Sequence, residues 1–228
     1  MSKWAKEVVS ITKQTFKNAG NKKVALGASN YMKNIAPFIG ISSPKRRALT
    51  KKAWQNLSVP AEKELIEAAK LLWKLPQREF HYAACDLLGK YIGVCTPKTL
   101  DQMTMLIKSK SWWDSVDLLG TQVISPLTLK FSETRKTINK WNNSKNIWLI
   151  RCAIQHQRGH KEKTDVDYVL KICQKHINNP EFFVAKAIGW ALRDFAKINP
   201  KKVREFLKKN PSMSIVSKRE ALKGLNRL

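Results

Sequence analysis

Apolar positions recur three and four residues apart along almost the whole chain, the spacing of one helix face, and the strict alternation of a half-buried strand is missing. Pro44, Pro60, Pro76, Pro97, Pro180 and Pro200 each stand near the beginning of an apolar-periodic stretch. A helix tolerates proline best there, because the first backbone N–H groups have no intrahelical partner to lose. The pattern predicts an all-α protein of about a dozen helices.

Several stretches resemble one another: REFHYAACDLLGKY from Arg78, SWWDSVDLLG from Ser111, NIWLIRCAIQHQ from Asn146, EFFVAKAIGWALRDF from Glu181 and, more faintly, SIVSKREALKGL from Ser214. They return at intervals of roughly 32 to 35 residues, enough for two antiparallel helices and their turns. Such a pair cannot bury its apolar face alone, so neighbouring pairs stack into an α-solenoid, and one helix of every pair lines a concave groove. No Gly-, Ser- or Pro-rich linker interrupts the series, which predicts a single domain over residues 1–228, with 1–30 as a helical cap.

Charge gives that groove a purpose. Of the 228 residues, 43 are Lys or Arg and 17 are Asp or Glu, for a net charge of +26. Such an excess repels itself in a compact chain, and a polyanion relieves it. Nucleic acid is therefore the first partner to consider, with Lys45, Arg46 and Arg47 at a predicted helix start and Lys218 and Arg219 near the end as duplex contacts. A membrane-surface role would need a strongly apolar amphipathic segment or a lipidation signal, and neither is evident. MSKWAKEVVSITKQTF carries charges throughout and does not read as a secretory signal. Cys85, Cys95, Cys152 and Cys173 lack a C-x-x-C pair and read as reduced core thiols of an intracellular, cytoplasmic protein, nucleoid-associated when bound to DNA.

Cofactor signals are weak or absent. His156 and His160 have the spacing of two metal ligands on one helix face, but no glutamate follows His156 and Gly159 weakens the helix between them. Neither a phosphate-cradling G-x-x-x-x-G-K-[ST] nor a G-x-G-x-x-G occurs. The expectation is no metal and no organic cofactor.

The candidate chemistry lies in SWWDSVD, where Asp117 follows Trp113 by four and so shares its helix face. Trp112 and Asp114 read instead as packing and support. In the next repeats, Trp148 occupies the place of Trp113, Arg151 follows it, and the fourth block carries Trp190. Taken singly, Trp148 and Trp190 read more readily as core aromatics and Arg151 as one more solvated cation. Taken together they suggest a common site.

SWWDSVD, NIWLIRCAI, EFFVAKAIGW and the early segment YMKNIAPFIGISSPKRR resemble the DNA alkylation repair glycosylases of the AlkD type, which are built from HEAT-like helical repeats. The resemblance runs from about Tyr31 to SKREAL, near Leu222. It implies a monofunctional DNA N-glycosylase that excises cationic N3- and N7-alkylated purines from duplex DNA without flipping the base into a pocket. Asp117 would be the catalytic carboxylate, Trp113 and Trp190 the aromatic walls about the deoxyribose, and Arg151 a cation near the lesion backbone. Tyr31 would lie beside the site. A monomer without an obligate protein partner suffices for this activity. Two other readings remain compatible with the basic repeats: a non-catalytic protein binding damaged or branched nucleic acid, and a protein-binding scaffold.

Overall fold

The computed structural model describes residues 2–226 and is all-helical, with no strand among them. The sequence pattern reads as one uninterrupted array, whereas the Cα packing resolves two compact units, Met1–Gln102 and Met103–Leu228.

The first unit contains α1 (Lys3–Lys17), α2 (Lys22–Tyr31), α3 (Ser43–Ala53), α4 (Glu62–Lys74) and α5 (Arg78–Lys90), and α6 (Pro97–Lys108) carries the boundary. Ser2 and Asn21 cap α1 and α2 by accepting the N–H groups of Ala5 and Val24. Trp4, Val8, Thr12 and Phe16 of α1 fall on one stripe and are buried, with the Phe16 and Phe80 rings 5.4 Å apart. The segment between α2 and α3 is tied down by one carboxylate. Glu79, itself buried, accepts the backbone N–H groups of Ile39, Gly40 and Ile41 at 2.9, 2.7 and 3.1 Å. Gly40 has φ +89°, and a Cβ there would stand 2.0 Å from the Asn21 carbonyl oxygen, so only glycine fits.

The second unit continues with α7 (Trp113–Leu119), α8 (Ser125–Lys130), α9 (Arg135–Asn142), α10 (Ile147–Gln155), α11 (Val166–Lys175), α12 (Phe182–Ala196), α13 (Pro200–Lys209) and α14 (Ile215–Leu225). The recurring sequence blocks are α5, α7, α10, α12 and α14, and the more polar helices between them complete the pairs. Side chains reach across the repeats at nearly the same interval. Trp141 donates to Thr104, His176 meets Asn142, and Gln174 and Asn210 exchange amide hydrogen bonds.

Two local features shape the second unit. Between α7 and α8 the helix passes through a wide turn, Gly120–Ile124, closed by Ser125 N–H donating to the Gly120 carbonyl. Pro126 follows directly. Its ring would collide with the carbonyl four residues earlier in a regular α-helix, and the widened turn relieves this. Between α12 and α14 the backbones approach closely: a Cβ on Gly189 would lie 2.9 Å from the Ser217 carbonyl oxygen, and one on Gly224 2.6 Å from that of Arg193. The glycine of the KAIGW motif is thus a packing requirement of the helix that carries Trp190.

No described helix is long and apolar enough to cross a membrane. His156 and His160 turn to different partners: His156 to Ala153 O and Gln157, His160 to Ser125 O. Burial pushes the His156 imidazolium down to about 4.

Candidate active site

Asp117 lies one turn into α7 and Arg151 one turn into α10, and the stacking of their repeats brings them together across 34 positions of sequence. The guanidinium grips the carboxylate with two parallel hydrogen bonds, Nε to Oδ1 at 2.8 Å and Nη2 to Oδ2 at 2.7 Å. Its third arm, Nη1, donates to the Phe183 carbonyl of α12 at 2.7 Å. A bidentate fork of this kind fixes orientation as well as charge. Arg151 is 1% exposed, whereas the Asp117 side chain retains 14%. The carboxylate therefore keeps a solvent-facing edge, and each oxygen keeps a lone pair beyond its guanidinium bond.

Arg151 was expected to neutralise a phosphate. In the structure it is buried, and each of its three nitrogens donates to Asp117 or Phe183, so it holds the carboxylate. More exposed cations surround Trp190, the half-buried indole of α12. Arg158, Lys186 and Arg193 place their charges 5.2, 5.6 and 5.8 Å from the Trp190 ring centre, and Arg151 stands at 5.1 Å. Unlike Arg151, these three side chains are about a quarter to a third exposed, at 34%, 26% and 27%.

A buried carboxylate gathers two of them. Glu220 of α14 accepts from Lys186 at 2.9 Å, Arg193 at 3.0 Å and Lys223 at 3.1 Å. Burial pushes its carboxyl up, but hydrogen bonds and charge from Lys186 and Lys223 outweigh burial and hold it at about 2. Arg158 pairs more loosely with Asp194, at 3.7 Å.

Trp113 begins α7 and is half-buried, four residues before Asp117 and so on its face. Trp112 turns the other way into an aromatic cluster, 5.8 Å from Trp148 and 5.1 Å from Phe183. Trp148 belongs to the same cluster, 5.0 Å from Phe183 and only 8% exposed. This corrects its assignment as a DNA contact: Asn146 caps α10 through the N–H groups of Trp148 and Leu149, and the helix so started aims the indole inward. Cys152, beside Arg151, is buried, and its thiol is pushed up by burial and then by the charge of Asp117.

In the first unit Tyr31 ends α2 with 69% of its surface exposed, and Lys45 and Arg47 are exposed on α3. Lys45 Nζ donates to Ala19 O at 2.8 Å. Arg46 does not join them. It is 2% exposed, its Nε bonds Asp86 at 2.9 Å, and its guanidinium lies 5.0 Å from the Tyr82 ring centre. The expectation of a DNA contact at Arg46 is thereby corrected, because the basic run is helical and every third or fourth residue must face inward. Lys218 and Arg219 are exposed on α14.

Sequence reasoning missed Arg158, Lys186, Arg193 and Glu220. Lys186 and Arg193 were within reach of it, standing four before and three after Trp190 on one helix. Arg158 comes from the turn beyond α10, where the spacing of a single helix face does not reach Trp190.

A family profile described as DNA alkylation repair enzyme matches residues 12–225. Among solved structures, the chain is similar to a predicted DNA alkylation repair enzyme from Enterococcus faecalis, with 30% identity and a TM-score of 0.85 over 92% of this chain and 98% of that one. No curated protein matches the chain in sequence.

Proposed function

Since the chain belongs to the DNA alkylation repair enzyme family, we propose that it is a DNA N-glycosylase that releases cationic N3- and N7-alkylated purines from duplex DNA, as the AlkD-type glycosylases do. The observation that carries this reading is the Asp117 carboxylate, left partly exposed and clasped by a buried arginine that itself lies 5.1 Å from the Trp190 ring centre.

An alkylated N3 or N7 already carries a positive charge, so the base departs neutral and no general acid is required. What remains is positive charge developing on the sugar as the glycosidic bond breaks. A carboxylate held rigidly against that charge stabilises the transition state more than the ground state. Its remaining lone pairs can also orient the attacking water. Arg151 fixes both oxygens, so Asp117 does not reorganise during the step. Trp113 and Trp190 offer electron-rich faces to the cationic sugar, each worth about 0.5–2 kcal/mol according to desolvation. Arg158, Lys186 and Arg193 suit the phosphates flanking the lesion.

As in the AlkD-type glycosylases, recognition would proceed without flipping the base into a pocket. Selection would then rest on the lability and charge of the lesion, and neutral lesions should be poor substrates.

The test is release of free 7-methylguanine from a duplex carrying that base. Asp117→Asn removes the charge while keeping the shape, and base release should fall about 10²- to 10³-fold, the cost of one preorganised electrostatic partner elsewhere. No release by wild type, or equal release by the variant, would sink the proposal.

A further inference from the structure

A sizeable groove in the first unit is lined by none of the residues that form the Asp117 site, and nothing in glycosidic chemistry uses it. It is an open groove of about 840 Å³ bounded by α1, the end of α4, the start of α5 and the segment at Phe38 and Ile39. Its floor is apolar, formed by Phe16, Phe38, Ile39, Leu71, Leu75 and Phe80.

The lip is cationic. Lys6, Lys13 and Lys17 of α1 border the groove, and separations of seven and four residues set them on a single stripe of the helix. All three are exposed, and no carboxylate borders the groove with them. The acidic residues of the adjoining α4 are engaged elsewhere. Glu62 accepts from Thr96 and Thr99, Glu64 from the Ala61 N–H, and Glu67 from the Ser2 N–H. The groove is also preformed, since Glu79 pins the Ile39 backbone that makes one wall.

We propose that this groove docks an acidic amphipathic helical segment of a protein partner, with apolar side chains on the floor and carboxylates along the lysine stripe. Charge complementarity selects the partner. A duplex would satisfy the lysines but leave the apolar floor wet, and a purely apolar segment would strand three cations at its edge. The stripe from Lys6 to Lys17 spans about 16 Å at 1.5 Å per residue, so about three helical turns of partner would cover it. Helix-in-groove recognition of this kind reads apolar anchors at i, i+3 or i+4, and i+7.

The test uses the full chain and two fluorescein-labelled peptides of about 14 residues with identical Leu, Glu and Ala content, one amphipathic as a helix and one scrambled. Equal charge makes the scrambled peptide report unspecific attraction to a protein of net charge +26. By anisotropy at about 150 mM salt, where long-range attraction is screened within about 8 Å, the amphipathic peptide should bind at least about tenfold more tightly. Two groove variants, Lys13→Glu with Lys17→Glu and, separately, Leu75→Asp, should each remove that preference. The lysine variant changes only exposed residues, and circular dichroism checks its fold. Duplex affinity, measured alongside, should be little changed by the lysine pair. Equal binding of the two peptides would overturn the proposal, as would a preference that survives both variants. So would a lysine variant that weakens duplex binding while the two peptides remain indistinguishable, since the lip would then be a nucleic-acid contact. The proposal stands or falls independently of base release.

Discussion

Arg151→Met separates the two roles an arginine can play beside an alkylated nucleotide. In the structure its guanidinium makes two bonds to Asp117 and one to the Phe183 carbonyl, and it is 1% exposed. Methionine fills much of the same volume but leaves the carboxylate without its counter-charge. Removing one partner of a buried ion pair costs about 3–5 kcal/mol. The Asp117 side chain keeps 14% exposure, so the lower end, about 3 kcal/mol, is expected, with about 1 kcal/mol more for the orphaned Phe183 carbonyl. Duplex binding should behave differently. Each phosphate contact contributes about −0.9 to the slope of log affinity against log salt. If Arg151 touches no phosphate, the slope between about 50 and 200 mM salt is unchanged in Arg151→Met, whereas Arg193→Gln should reduce its magnitude by about 0.9. Urea titration gives the first quantity and anisotropy on an undamaged duplex the second. A variant that loses under about 1 kcal/mol of stability yet flattens the salt slope by about one phosphate would refute the assignment and restore Arg151 as a backbone contact.

Three further outcomes follow from other parts of the structure. Gly189→Ala places a methyl 2.7 Å from Glu220 Cβ and 2.9 Å from the Ser217 carbonyl; overpacking of this kind costs about 1–3 kcal/mol, read as a lowered urea midpoint, and an unchanged midpoint would mean that α12 and α14 separate freely. Gly40→Ala should be at least as damaging, because φ +89° is strained for alanine and the Asn21 carbonyl stands 2.0 Å from the new Cβ; thermal melting checks it. His156 gives an acid sensitivity: its folded value of about 4 lies below the ordinary 6.5, so its neutral form contributes stability that is fully present above pH 6.5 and lost as pH falls through 4. Melting temperature should drop across that window by the equivalent of about 3 kcal/mol at most, and His156→Phe should flatten the drop; a variant with the same pH profile as wild type would show that the ring is not held neutral by burial.

Helix content, the repeat interval and the block that pairs Trp113 with Asp117 were legible from the order of residues, because each depends on spacings of three, four or about 34 positions that geometry converts directly into faces and neighbours. SWWDSVD divides as its spacing requires: Asp117 keeps an open edge on the face it shares with Trp113, while Trp112 packs against Trp148 and Phe183. Spacing could not tell which cations of a strongly basic chain face inward. Arg46 and Arg47 are neighbours of identical chemistry, yet one is clasped by Asp86 and the other is exposed.

The sequence by itself determined an all-helical repeat protein with a polyanion as partner and Asp117, Arg151 and Trp190 in successive repeats. Local backbone sterics and the hydrophobic period suffice for that much. Tertiary structure alone decided what those residues do to one another. The stacking of α7, α10 and α12 set Arg151 as the clasp on Asp117, and the close approach of α12 and α14 at Gly189 brought Glu220 to gather Lys186 and Arg193 about Trp190. Hydrogen bonds and ion pairs act within about 4 Å, and which side chains come that close is set by the packing of distant helices, a quantity no single stretch of chain contains.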